Sequence, residues 1–229
     1  MISCNVDSNT TTPALPEPKV SDTYLPSLSK TIELVSPSVV AINISTVALD
    51  RFLIPRVRSA DGSGVIISND GYIVTNDHVI KDAREISVIL NDGNAFQAKI
   101  IGRVPYSDIA LIKINSEYEL VPIKFSSSKN LKVGDWVIAV GNAFGLVGTP
   151  TVTAGIVSAK ERAIETEDDR ILTDMIQTDA AINHGNSGGP LFYKDKVVGV
   201  NTQGLNKKIS EGMNFAVHFS EVQKFLSLK

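Results

Sequence analysis

The chain has a single cysteine, Cys4, so no disulfide can form within it and its core must hold together by packing. Histidine is scarce too: His78, His184 and His218 are the three present, with no Cys-x-x-Cys or His-x-x-x-His spacing. Those are too few ligands for a structural zinc site, and no metal is expected. Positive charge is not in surplus, since the formal net charge is −3, and no Arg/Lys stripe carries interleaved aromatics. Nucleic acid is therefore not expected as a partner. No run approaches the roughly 18 apolar residues of a membrane span. The first residues also lack the basic and apolar regions of a secretory signal. The chain is expected to be soluble, in a processed or trimmed form.

What is present is a chain of 229 residues with a hydrophobic fraction of 43%, enough for one large all-β domain or two small ones. From about Leu28 onward, short apolar runs are broken by Gly, Asn, Asp and Pro roughly every ten residues, which is the rhythm of an all-β fold. A first set of strands is expected at Val39 to Ser45, Gly64 to Ser68, Tyr72 to Thr75, Ile86 to Leu90, Ala95 to Ile101 and Ile109 to Ile114. A second set is expected at Trp136 to Val140, Val152 to Ala159, Met175 to Thr178, Leu191 to Tyr193, Val197 to Thr202 and Met213 to Val217. Asn69-Asp70-Gly71 and Asn91-Asp92-Gly93-Asn94 supply tight hairpin turns between flanking strands. The two sets predict two six-stranded antiparallel β-barrels, residues 28–122 and 123–229, with Pro122 to Lys132 as crossover. Helical periodicity is confined to Leu28 to Val35 and a short C-terminal helix over Ser220 to Leu228, with Ser220 as its N-cap.

Residues 1–27 are rich in Thr, Pro and Ser and read as a flexible tether. Cys4 within it has two readings. It is either incidental to a disordered tail, or Met1-Ile2-Ser3-Cys4 is the end of a bacterial lipoprotein signal whose cysteine carries a lipid anchor.

Chemistry concentrates in Gly185-Asn186-Ser187-Gly188-Gly189-Pro190. Small residues on both sides let a serine sit on a sharp turn where another molecule can approach it closely. The plain alternative is a Gly-Pro turn that contains a serine. An active serine needs a base within hydrogen-bond reach and a buried acid to orient that base. His78 stands at the end of the apolar strand Tyr72 to Thr75, where a rigid element can aim it. His184 lies too close to Ser187 in sequence to fold back on it, and His218 reads as a surface residue. Asp92 belongs to its hairpin turn, and Asp77 adjoins His78 and should point elsewhere. Asp108 opens the core strand Ile109 to Ile114, so its carboxylate needs a donor, and a histidine N–H is one.

Gly185-Asn186-Ser187-Gly188-Gly189 also fits the G-x-S-x-G elbow of α/β-hydrolases, but that fold places its acid and histidine after the serine and a helix directly behind it. Here Pro190 and an apolar strand follow. The order His78, Asp108, Ser187 is that of the double-barrel serine proteases.

The residues at this point resemble the HtrA or Deg serine endopeptidases, whose protease domain is chymotrypsin-like, over about Pro37 to Leu228. The matching pieces are Gly62 to Ile67, Gly71 to Val79 with Thr75-Asn76-Asp77-His78, Asp108 to Ile114, Gly134-Asp135-Trp136-Val137, and Gln177 to Asn183 leading into the hexapeptide. The resemblance implies His78 as general base, Asp108 as its orienter, Ser187 as nucleophile, and the N–H groups of Gly185 and Ser187 as oxyanion hole. It implies a primary pocket around Ala181, Ile182, Asn201, Thr202 and Phe215, uncharged at its base, so cleavage is expected after small or medium aliphatic residues. It further implies unfolded or misfolded proteins as substrates, no cofactor, quality control in the cell envelope or periplasm, and homotrimers with Tyr24, Leu25 and Leu28 at the interface. Commonly a PDZ domain follows in this family; the chain stops at Lys229.

The chain departs from the family pattern at His184 and at Ala143 of Asn142-Ala143-Phe144-Gly145, both usual prolines. Each loss frees backbone. His184 is either tolerated variation or a pH-sensitive contact beside the oxyanion hole. Whether Ala159 to Asp174 and Asn201 to Gly212, both read as loops, order into an active state is open. A holdase that keeps the fold but only binds unfolded chains is the rival reading, and a small-ester hydrolase is a further one.

Overall fold

In the computed structural model, residues 28–49, 51–125, 131–142, 148–166, 169–202 and 212–227 are described. The expected tether at 1–27, the middle of the crossover and Ala143 lie outside them.

Among the described residues twelve strands form, overlapping the twelve expected ones; the second shares only Gly64 to Ile66 with the expected Gly64 to Ser68, because its ladder with the first runs outward to Pro55. The first six are β1 (Val39–Leu49), β2 (Pro55–Ile66), β3 (Tyr72–Thr75), β4 (Glu85–Ile89), β5 (Ala95–Val104) and β6 (Ile109–Ile114). They close a barrel in the order β1-β2-β3-β6-β5-β4. The second six are β7 (Trp136–Gly141), β8 (Thr151–Glu165), β9 (Ile171–Thr178), β10 (Pro190–Tyr193), β11 (Lys196–Thr202) and β12 (Asn214–His218). They close a second barrel, β10-β11-β12-β9-β8-β7. All named strand pairings are antiparallel.

Among the described residues there are three α-helices: α1 (Leu28–Val35), a single turn α2 (Asp77–Ile80) and α3 (Phe219–Ser227). The last begins one residue before Ser220, which therefore lies inside the first turn instead of capping it. Two other expectations need correction. Ala159 to Asp174 is not a loop, because β8 runs on to Glu165 and β9 starts at Ile171, pairing as Glu165↔Ile171. Asn201 and Thr202 likewise belong to β11, and 203–211 lies outside the described residues.

The apolar side chains divide into three cores. One fills the first barrel, with Ile42, Ile66, Ile73 and Ile112, and one fills the second, with Val137, Val157, Ile176 and Leu191. The third lies between them, where Val65, Val74 and Leu111 meet Val140, Phe192, Val200 and Phe215. Both terminal helices seal this middle layer through Val35, Phe219 and Val222. Burying each such side chain favours the fold by about 1.5–3 kcal/mol relative to exposure. The barrels are thereby locked face to face, and groups at their junction are held by rigid elements. Among the described residues, no helix is long and apolar enough to cross a membrane, and no group of three or more His, Cys, Asp or Glu is placed to hold a metal.

Candidate active site

The first half of the site is built at the end of β3. Asn76 leaves the strand in extended conformation and the chain turns at once into α2, which carries His78 in its first turn. Asp108 meets this turn from the far end of a 3₁₀ segment, Pro105–Ser107, with a left-handed backbone (φ 50, ψ 40) that aspartate tolerates better than most residues. Its carbonyl accepts from Asn76 Nδ2 (3.0 Å) and from the Asp77 N–H (3.2 Å). Its carboxylate, in a residue only 1% exposed, accepts from the His78 N–H (3.0 Å), from His78 Nδ1 (2.8 Å to Oδ2) and from Thr202 Oγ1 (2.7 Å). A carboxylate can only accept, so Nδ1 carries the imidazole proton and Nε2 is left as the free base.

Asp77, itself buried, points away from this cluster and pairs with the more exposed Arg103 (Nε to Oδ1, 2.5 Å). Arg170, from the turn between β8 and β9, stands 3.7 Å from its other oxygen and donates to the Pro105 carbonyl at 2.6 Å. Hydrogen bonding and charge from Asp77 hold the Arg103 guanidinium above its ordinary pKa. Two residues flanking the His78–Asp108 pair, Asp77 and Pro105, are thus tied to both barrels.

The second half is the turn Asn183 to Gly189. It is closed by the Asn186 N–H on Asn183 O (3.0 Å) and the Gly189 N–H on Asn186 O (3.1 Å). It is joined to β11 through Gly188 N–H to Asn201 O and Asn201 N–H to Gly189 O, both 2.8 Å. Gly188 has a φ of 87, and a Cβ there would collide with the Ser63 carbonyl and the Thr75 hydroxyl. No other residue fits. Ser63 of β2 then pins the turn to the first barrel: its N–H donates to Ser187 O (2.8 Å), and its hydroxyl donates to Gly185 O (2.5 Å) while accepting from the Asn142 N–H (2.8 Å).

His78, His184, Gly185 and Ser187 line one cleft of about 450 Å³. Among the described residues no hydrogen bond joins Ser187 Oγ to His78 Nε2, a contact that in ligand-free sites of this kind is often long and tightens with substrate. Nor do the N–H groups of Gly185 and Ser187, both buried, find an acceptor there. His184 is exposed on the cleft wall.

The residues expected to form a primary pocket have these surroundings. Ala181 is exposed, with its carbonyl bound by Thr153 Oγ1 at 2.7 Å. Ile182 and Phe215 are enclosed in the apolar cores at 3% and 1% exposure. Asn201 turns its amide onto the carbonyls of Val140 and Pro190, and Thr202 turns its hydroxyl onto Asp108. His218 is a correction: it is buried, not on the surface, near Asp174 (3.8 Å), and burial lowers its pKa. The sequence reading missed Ser63 and the Thr202 bond. Gly62-Ser63-Gly64 was visible as a motif, but nothing local says that its hydroxyl reaches a turn in the other barrel.

A double barrel that presents a carboxylate-held imidazole and a serine in one cleft defines a peptidase of the trypsin-like class. The chain belongs to the trypsin-like peptidase domain family, whose pattern its residues 62–200 match. It is 54% identical over 144 residues to a probable periplasmic serine endoprotease, DegP-like, of Bartonella henselae, covering 62% of this chain and 28% of that protein. The DegP-like protein of Rickettsia prowazekii is 54% identical over 142 residues (62% and 28%), and that of Pseudomonas fulva 50% over 161 (69% and 32%). The matches thus span about a third or less of the curated relatives' length.

Proposed function

We propose that this chain is a serine endopeptidase domain of the HtrA or Deg type. The observation that carries the reading is the buried Asp108 carboxylate on His78 Nδ1, with Nε2 and Ser187 facing one cleft. In this mechanism His78 Nε2 takes the proton of Ser187 Oγ as the oxygen attacks a peptide carbonyl. The imidazolium, held by Asp108, then gives that proton to the leaving amine. Water cleaves the resulting acyl-enzyme by the same steps in reverse. The N–H groups of Gly185 and Ser187, which lack acceptors among the described residues, receive the developing oxyanion. One such donor is worth about 10²–10³ in kcat.

The substrates in this reading are unfolded or misfolded proteins cut after small or medium aliphatic residues. Ala181 supplies an uncharged pocket base. The described names of the relatives support a place in the cell envelope, and assembly as homotrimers through Tyr24, Leu25 and Leu28 belongs to the same proposal, as does a lipid anchor at Cys4. The chemistry calls for no cofactor. The test is turnover of casein and of a tetrapeptide p-nitroanilide with Val or Ala before the scissile bond. The parent protein should cleave both, Ser187→Ala should cleave neither, and cuts mapped predominantly after Lys or Arg would overturn the specificity. One observation favours a latent binding protein on the same fold, the missing Ser187–His78 hydrogen bond. Binding of casein without turnover by the parent would decide for it.

A further inference from the structure

The β1–β2 hairpin is longer than its barrel requires. The two strands pair from Val39↔Val65 out to Leu49↔Pro55. Yet β1 meets its other neighbour β4 only over Ala41 to Ser45, and β2 meets β3 only at Val65 and Ile66. Thr46 to Leu49 with Pro55 to Arg58 therefore form a two-stranded arm with no third strand beside it among the described residues. An isolated ribbon gains little from its own ladder, so its persistence calls for another account.

The side chains of the arm are sorted by face. Directly paired residues in an antiparallel ladder project to the same side, and neighbours along a strand alternate. Val47↔Val57 thus lies on one face, and Thr46↔Arg58 and Ala48↔Arg56 lie on the other. At the tip, Phe52, Leu53 and Ile54 are 67%, 76% and 48% exposed, and Val57 is 73% exposed. Leu53 sits at a φ of 61, a left-handed conformation that strains a branched aliphatic residue and that Gly or Asn would adopt more readily. Turn chemistry does not select leucine there. Arg51, whose guanidinium lies 4.7 Å over the Phe52 ring, Arg56 and Arg58 give the hairpin 46–58 three positive charges against one acid, Asp50, in a chain whose net charge is −3.

The arm rises from the cleft itself. At its root Thr46, Ser59, Ala60 and Asp61 line the same cavity as His78 and Ser187. A polypeptide lying in the cleft therefore passes the root of the arm. We infer that the β1–β2 arm is a docking site for the non-native substrate chain, taking a segment that carries acidic side chains within about four residues beyond the cleft and apolar ones out to about seven, at about 3.3 Å per residue. Apolar side chains of the substrate meet Val47, Val57 and the tip, and its carboxylates meet Arg56 and Arg58. Continuity with the cleft favours this occupant over a membrane.

The inference rests on the peptidase reading of the cleft, and its test separates the two. Affinity for fluorescein-labelled casein, an acidic unfolded chain, is measured by anisotropy in the Ser187→Ala background, which requires no catalysis. Replacing the tip (Phe52→Ser, Leu53→Ser, Ile54→Ser) and reversing the charged face (Arg56→Glu, Arg58→Glu) should each weaken binding about tenfold. Arg56→Lys with Arg58→Lys should restore most of it, showing that charge and not folding is read. With Ser187 intact, cleavage of a tetrapeptide p-nitroanilide, which ends within the cleft, should stay within about twofold in all variants, while KM for casein rises. Casein affinities within twofold of the parent overturn the inference. Arm-dependent sedimentation with phosphatidylglycerol vesicles at unchanged casein affinity overturns it in favour of a membrane. Absence of any hydrolysis by the parent would instead count against the peptidase reading, and the anisotropy would still decide the arm.

Discussion

Ser63 and Gly185, 122 positions apart in sequence, are joined by a 2.5 Å hydrogen bond from the serine hydroxyl to the glycine carbonyl. Fixing that carbonyl fixes the peptide plane that follows it, and with it the approach to Ser187. The same hydroxyl accepts from Asn142 N–H, so one buried oxygen orders two segments of the second barrel from a strand of the first.

Ser63→Ala should therefore act on the transition state more than on substrate binding. The backbone N–H at this position remains to hold Ser187 O, so the turn stays attached but loses its orientation. The expected result is a kcat about 10- to 100-fold lower with KM changed less than about threefold, a pattern that marks an interaction felt in the transition state. Leaving a buried donor and acceptor unmatched should also lower stability by about 1–3 kcal/mol, measurable by urea titration. A rise in KM with kcat preserved would contradict the role.

Asp108→Asn keeps the shape of the buried side chain but offers an N–H₂ where His78 Nδ1–H needs an acceptor. The imidazole then adopts the tautomer with its proton on Nε2, and the base is lost. The expected fall in kcat is about 10⁴-fold near neutral pH, with the fold intact by circular dichroism. Thr202→Val removes only one of three donors to the same carboxylate. Its effect should be smaller by orders of magnitude, about tenfold or less.

These predictions also show what a sequence discloses and what it withholds. Most of the twelve strands were legible because apolar runs and Asn/Asp/Gly turns are local signals, and their two sets of six pointed to paired barrels, with which the order His78, Asp108, Ser187 agrees. Asp77 was legible too, since a side chain adjoining His78 in a tight turn has to point elsewhere. Ser63, Thr202 and Arg170 were not, because each works through a partner on the other barrel, and no spacing along the chain encodes that distance. The outer arm of β1–β2 and the ends of β8 and β9 were missed for a different reason. Their charged and exposed residues carry no burial pattern, and the ladder alone makes them strands.

His218 ends the strand Asn214–His218 and is buried, and its burial makes a pH prediction. Burial lowers its pKa below the ordinary value of 6.5, against an opposing pull from Asp174 and smaller influences of Lys160, Glu221 and Glu161. Below that ordinary value the unfolded chain binds a proton that the folded chain resists. Stability must then fall as pH drops from about 6.5 toward the folded pKa, and stay level with respect to this group above it. His218→Gln should flatten the slope of Tm against pH over that acid interval and leave the slope above pH 7 unchanged. An equally steep slope in the variant would remove His218 as its source.

Glycines at positive φ provide the last and sharpest comparison. Gly188 and Gly134 have nearly the same backbone angle, φ 87 and φ 92, but a Cβ at Gly134 meets nothing within 4 Å, whereas one at Gly188 runs into the Ser63 carbonyl and the Thr75 hydroxyl. Gly134→Ala should cost only the left-handed strain of an L-residue, about 1–2 kcal/mol, with kcat/KM near that of the parent. Gly188→Ala must add to that strain the displacement of β2 from the Ser187 turn, because the atoms in the way are backbone and a hydroxyl that already donates to Ser63 O at 2.7 Å. Destabilisation above about 3 kcal/mol is expected, together with loss of peptidase activity even in the fraction that folds. Equal effects of the two substitutions in urea melts would mean that the turn can move away from Ser63 without cost, and the rigid junction argued for Ser187 would have to be given up.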